Sequence, residues 1–272
     1  MSEFKYSLNS STIRTTPLLR KITVAGEVGY TGIELWHDDI DAYLTTGGTI
    51  SDIRKALADY GLAVPTTIYL GDWFDTIGEA HQKAIDECKR RLQQAADIGA
   101  SHAIAGPPGG RADYDLGAKH YRELLEIGAQ FGVKPAIEFL GFVEQLNTIE
   151  DALEIVTRSG HPDATTVLDP FHIQRGGGSV ESVAKLSSGQ IAVAHFMDTV
   201  DHPPREQQHD PHRVMPGDGV FDLKRYLELL RQVGFNGFLS LELFREDLWA
   251  QDPREVAQFG LQKMRDVVEK RS

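Results

Sequence analysis

One unit recurs eight times along this chain: a short apolar run that stops on a polar residue, then a longer segment with helical spacing. Residues 4–9 read as a strand and 17–27 as a helix stopped by Gly29. Residues 32–36 form the second strand, and 49–60 the second helix, opened by Thr49 or Ser51 and ended by Gly61. Further strands are expected at 62–70, 102–105, 133–140, 165–168, 191–196 and 237–243. Helices are expected at 77–98, 114–131, 148–158, 179–186, 222–233 and 253–270, with Thr148 and Asp151 outlining a capping box. Short apolar strands alternating with helices pair in parallel, and eight such units close into a (β/α)8 TIM barrel. No Gly-x-Gly-x-x-Gly follows the first strand, as an open dinucleotide-binding sheet would require, and no linker divides the chain. Residues 1–272 are therefore expected to form a single domain.

Composition restricts what such a barrel can do. A formal charge of −12 disfavours attraction to a nucleic-acid backbone and leaves small neutral substrates open. No apolar run approaches the roughly 20 residues of a membrane span. The N-terminus lacks the hydrophobic block of a signal peptide, and the lone Cys88 cannot form an intrachain disulfide. A cytoplasmic enzyme with a structural thiol is the expectation.

Chemistry in such barrels sits at the C-terminal ends of the strands. Four consecutive strands end in Ala136-Ile-Glu138, Val167-Leu-Asp169, Val193-Ala-His195 and Ser240-Leu-Glu242. A lone strand-end Glu can pair with a lysine, and a lone His can be a satisfied core residue. Four in succession on one rim, with cations scarce in the flanking segments, call for a compensating charge, because buried carboxylates are costly without one. A single divalent metal held by Glu138, Asp169, His195 and Glu242 meets that need. Oxygen ligands with one imidazole suit Mn²⁺ first, with Mg²⁺, Co²⁺ or Zn²⁺ as alternatives.

These residues, with Asp169-x-x-His172 and Pro216-Gly-Asp-Gly219-x-x-Asp222, resemble the xylose-isomerase-like barrels of sugar isomerases and epimerases. Ile137-Glu-Phe-Leu-Gly141, Val167-Leu-Asp-Pro-Phe-His172, Arg213-Val-Met-Pro-Gly-Asp-Gly219 and Leu241-Glu-Leu-Phe-Arg245 look most like the inosose (2-keto-myo-inositol) isomerases. The resemblance implies the same four metal ligands and makes His172 a substrate contact. Two departures bear on the activity. Leu140 stands where xylose isomerases proper carry a Lys, against a hydride shift; Asp201 stands where ketose epimerases carry an Arg.

The implied reaction moves a carbonyl between adjacent carbons of a keto-cyclitol or keto-sugar through an enediolate, with Glu138 or Glu242 as base and His172 handling the second proton. An inosose dehydratase-like lyase and a ketose 3-epimerase are the near alternatives. An apurinic-site endonuclease on the same fold is disfavoured by charge, and a non-catalytic metal-bearing module by the complete ligand set. Arg213 and Arg245 are candidate substrate contacts, with pairing to nearby acids as the competing account. Trp36, Tyr69 and Trp73 are a candidate apolar wall, and Asn9 and Glu34 candidate polar contacts. The His-rich stretch 198–216 reads as a solvated lid. A homo-oligomer is compatible with the sequence.

Overall fold

The computed structural model describes residues 4–269, so residues 1–3 and the expected helix end at Lys270 lie outside the described residues. Eight parallel strands close a barrel: β1 (Lys5–Asn9), β2 (Gly32–Trp36), β3 (Val64–Leu70), β4 (Ala100–Ala105), β5 (Lys134–Ile137), β6 (Thr165–Leu168), β7 (Ile191–His195) and β10 (Phe238–Leu241), the last pairing with both β7 and β1. Between β7 and β10 an antiparallel pair, β8 (Asp198–Thr199) with β9 (Arg213–Val214), stands above the barrel mouth.

The helices are α1 (Leu18–Val28), α2 (His37–Thr45), α3 (Ile50–Asp59), α4 (Gly78–Asp97), α5 (Tyr114–Phe131), α6 (Ile149–Ser159), α7 (Pro170–Gly176), α8 (Leu223–Gln232), α9 (Glu246–Trp249) and α10 (Pro253–Glu269). The Thr148–Asp151 capping box opens α6, and Thr49 with Asp52 builds another before α3. Three helices escape the periodicity reading, the one-turn α9 among them. The short, acidic α2 follows β2 directly, and α7 begins at Pro170, which ends strand pairing but also suits the first helical turn. The expected helix at 179–186 is a 3-10 segment, Val180–Lys185.

Inside the barrel, Ile68, Ile104, Ala136, Val167 and Val193 form a small apolar plug. Strand side chains alternate faces, so the residue two further along points inward again, one layer nearer the mouth. For Ala136, Val167 and Val193 that residue is Glu138, Asp169 and His195. Strands expected to run to Leu140 and Leu243 stop pairing at Ile137 and Leu241, so Glu138 and Glu242 lie just past the ladder. Among the described residues no helix is long and apolar enough to cross a membrane.

Candidate metal centre at the barrel mouth

Glu138, Asp169, His195 and Glu242 are all buried, and one donor atom of each lies within 4.8 Å of the others. His195 Nδ1 stands 3.1 Å from Asp169 Oδ2, 3.3 Å from Glu242 Oε2 and 3.5 Å from Glu138 Oε1. Its other nitrogen, Nε2, lacks an aligned hydrogen bond; Glu34 Oε1 stands 3.4 Å away. The imidazole thus has a centre-facing side and a Glu34-facing side.

Each member is held from behind by its own element. Asp169 Oδ1 accepts the His172 backbone N–H at 2.9 Å, which makes Asp169 the N-cap of α7 and leaves Oδ2 for the centre. Asn9 Nδ2 donates to Glu242 Oε1 at 2.8 Å and to Glu34 Oε1 at 3.3 Å, while Asn9 Oδ1 accepts from Trp36 Nε1 at 3.0 Å. Thr66 and Ser240 hydroxyls also donate to Glu34. Glu138 Oε1 is buried with no hydrogen-bond partner among the described residues.

The expected scarcity of cations needs correction. Arg213 enters from β9 and lies fully buried, 3.4 Å from Asp169 Oδ2 and 3.6 Å from Glu242 Oε2, and it also bonds Asp210. Its guanidinium packs over Phe171 at 4.2 Å and Phe244 at 5.1 Å. The acid at 201 therefore does not leave the centre without a guanidinium. The stretch 198–216 is correspondingly more than a solvated lid. His202 and His209 face solvent, yet Gln208 and Arg213 are drawn inside.

Burial and charge pull the carboxylates apart. Glu138 is raised well above the ordinary carboxylate range, first by burial and then by Glu242 and Asp169 against the opposing pull of His195. Burial likewise raises Glu242, to about 7, against His195 and Arg213. For Asp169 burial is overcome by Arg213, His172 and His195, and its carboxyl is lowered. Four buried carboxylates, counting Glu34, thus face one guanidinium and one imidazole. This oxygen-rich, negatively charged nest with an unpartnered carboxylate oxygen fits a divalent cation.

His172 is buried beside this nest. Gly141 N–H donates to its Nδ1 at 3.1 Å, and Nε2 lies 3.1 Å from Arg213 Nη2. Burial lowers the imidazole to about 4, with Arg213 offsetting the pull of Asp169. Both ring nitrogens thus face donors, and a neutral imidazole can accept at only one of them.

The remaining candidates separate. Trp36 sits at the mouth, edge-on to Phe244 at 5.9 Å, and Tyr69 is partly exposed. Trp73 belongs to the core, packed on Phe74 and Tyr121, and is no part of a substrate wall. Arg245 is not brought into the buried group; its guanidinium is closed on Asp247 at 2.6 and 2.9 Å. Glu34 was legible as a candidate polar contact, not as a partner of His195. Its position behind His195 follows from barrel closure, which places Ser240 beside His195 and Asn9 beside Glu34.

The family model for the xylose isomerase-like TIM barrel matches residues 22–267. The inosose isomerase of Bacillus subtilis (strain 168) is 30% identical over 203 residues, 71% of each chain. The 3-dehydroshikimate dehydratase of Pseudomonas aeruginosa is 27% identical over 260 residues, 93% of this chain but 40% of that protein. The crystal structure of the IOLI protein with a binding zinc atom superposes with a TM-score of 0.91 at 27% identity, covering 98% of this chain and 99% of that one.

Proposed function

From the xylose isomerase-like TIM barrel family, to which this chain belongs, we propose a metal-dependent isomerase that moves a carbonyl between adjacent carbons of a keto-cyclitol or keto-sugar. The observation that carries this reading is the convergence of Glu138, Asp169, Glu242 and His195 Nδ1 on one buried point. There they would hold a divalent ion, Mn²⁺ or Zn²⁺ foremost, and when bound it supplies Lewis-acid polarisation of a carbonyl and its neighbouring hydroxyl.

The chain's own groups do the rest. Glu138 and Glu242, the latter steadied by Asn9, are the two proton carriers for removal and return at carbon. With Gly141 N–H at Nδ1 and Arg213 Nη2 at Nε2, the His172 ring meets one donor more than a neutral imidazole accepts, and the surplus needs an acceptor. A substrate oxygen answers that need, and His172 can pass its proton there when charge shifts between the two oxygens. Phe171, Phe244 and Trp36 keep this corner dry. Arg213 is already shared among Asp169, Glu242 and Asp210, which favours a neutral polyol ketone over a carboxylate substrate.

The test is to incubate the metal-loaded protein with inososes and 3-keto-sugars in deuterated water and follow products by NMR. Isomerisation with deuterium entering at the carbon next to the carbonyl supports the reading. A conjugated, ultraviolet-absorbing enone would replace it with a dehydratase, inversion without transposition with an epimerase, and inactivity on the whole panel would remove it.

A further inference from the structure

Outside the barrel, a second group of donors converges between α4 and α5. His81 comes from the start of α4, and His120 and Glu123 sit three residues apart on one face of α5. One donor atom of each lies within 4.8 Å of the others. The two imidazoles stack with centroids 3.9 Å apart at 25°, and His81 Nε2 is 3.1 Å from Glu123 Oε2.

Hydrogen bonding fixes the proton of one of the two rings. His120 Nδ1 must donate to the Phe74 carbonyl at 3.0 Å. His120 therefore keeps its lone pair on Nε2 in the neutral state, oriented by a backbone oxygen as histidine ligands are. The Thr76 hydroxyl gives its own proton to the Asp72 carbonyl at 2.6 Å, and His81 Nδ1 lies 3.4 Å from its oxygen. His81 Nε2 donates to Glu123 Oε2 at 3.1 Å, and a divalent cation can displace that proton and bridge the same two atoms.

We infer that His81, His120 and Glu123 form a second divalent-metal site that ties α4 to α5. Two imidazoles and one carboxylate suit Zn²⁺, Ni²⁺ or Co²⁺, with water completing the shell. Stacked rings cannot both point their planes at one ion, so His81 turns on binding. It is the less buried of the two, and its 3.4 Å contact to Thr76 is loose enough to permit this. None of the three residues belongs to the mouth centre, and the competing account is His81 paired with Glu123 through its Nε2–H, with no ion.

The experiment uses the tag-free full chain, stripped with chelator, dialysed against buffered Zn²⁺ and assayed for bound metal by mass spectrometry. Wild type is expected to hold one equivalent more than either His81→Ala or Glu123→Gln, and Asp169→Asn to lose a different equivalent. Because the comparison is a difference, it reads this site whether or not the mouth centre fills. Equal zinc in wild type and both variants would overturn the inference in favour of the metal-free pair. Glu123→Gln alters a half-exposed side chain and guards against a folding artefact of His81→Ala.

Discussion

Glu34 Oε1 lies 3.4 Å from His195 Nε2, on the far side of the ring from Asp169, whose Oδ2 is 3.1 Å from Nδ1. A carboxylate behind a ligating imidazole fixes its tautomer and plane and raises its basicity. Burial works against the charge of Glu34, but His195 and the Ser240 and Thr66 hydroxyls hold its carboxyl below the usual range. Glu34→Gln is therefore expected to weaken metal binding at the mouth about 10- to 100-fold. Competition against a chromophoric chelator measures this, and unchanged affinity would show that the ring needs no such support.

Arg213 makes a separate prediction. It faces Asp169 and Glu242 from a fully buried position, and removing one partner of a buried charge cluster strands the rest. In metal-free protein, Arg213→Met should cost about 3–5 kcal/mol in urea unfolding. A cost within about 0.5 kcal/mol, the range of an ordinary surface change, would mean that the guanidinium offsets little.

Gly141 tests His172 without replacing it. A Cβ there would come 2.6 Å from the His172 carbonyl oxygen and 2.7 Å from the Gly176 nitrogen, both backbone atoms with little room to yield. Its N–H also holds His172 Nδ1. Gly141→Ala should lower kcat/KM by about 10-fold or more, the scale set by a misplacement near 1 Å, while metal content stays at wild-type level. Full activity would remove His172 from the substrate-holding role.

His37 sets a pH dependence of stability. It is buried, its Nδ1 bonds Gln94 Oε1 at 2.6 Å, and burial lowers it from 6.5 to about 4. Between those values the unfolded chain binds a proton that the folded chain refuses, so stability rises with pH through this window and levels off above it. At about pH 5 the loss from His37 alone is about 2 kcal/mol. His172 and His102 shift in the same direction and add to the fall. The urea stability of His37→Asn should drop less than wild type between about pH 7.5 and about pH 5; equal drops would acquit His37.

What the sequence revealed and what it hid follow from the range of the interactions. Strand alternation is local, so Glu138, Asp169, His195 and Glu242 could be placed on one rim from four short runs. Arg213 was legible as a rim candidate, but not as a fully buried group, because its depth depends on Phe171 and Phe244 arriving from other units. Arg245 looked equivalent in sequence, yet Asp247 two residues on closes it locally. The helix α7 was missed because Pro170 was read only as a strand stop. In the folded chain the Asp-x-x-His spacing is that of an N-cap to the third helical residue.

That double use of Asp169 permits a clean test of metal removal. Oδ1 caps α7 through the His172 N–H, while Oδ2 faces His195 and Arg213. Asn caps a helix about as well as Asp, so Asp169→Asn keeps the local structure and removes a charged ligand. A ligand that binds only the folded state stabilises it by about 2.7 kcal/mol at 100 times its Kd. Chelator should therefore lower the Tm of wild type by several degrees, and added Mn²⁺ or Zn²⁺ should restore it. To isolate the mouth centre, both titrations are run in the His81→Ala background. There Asp169→Asn should show a Tm indifferent to chelator and metal. If that variant still responded like its parent, the stabilising ion would have to bind elsewhere, and the buried carboxylates at the mouth would need another cation to offset them.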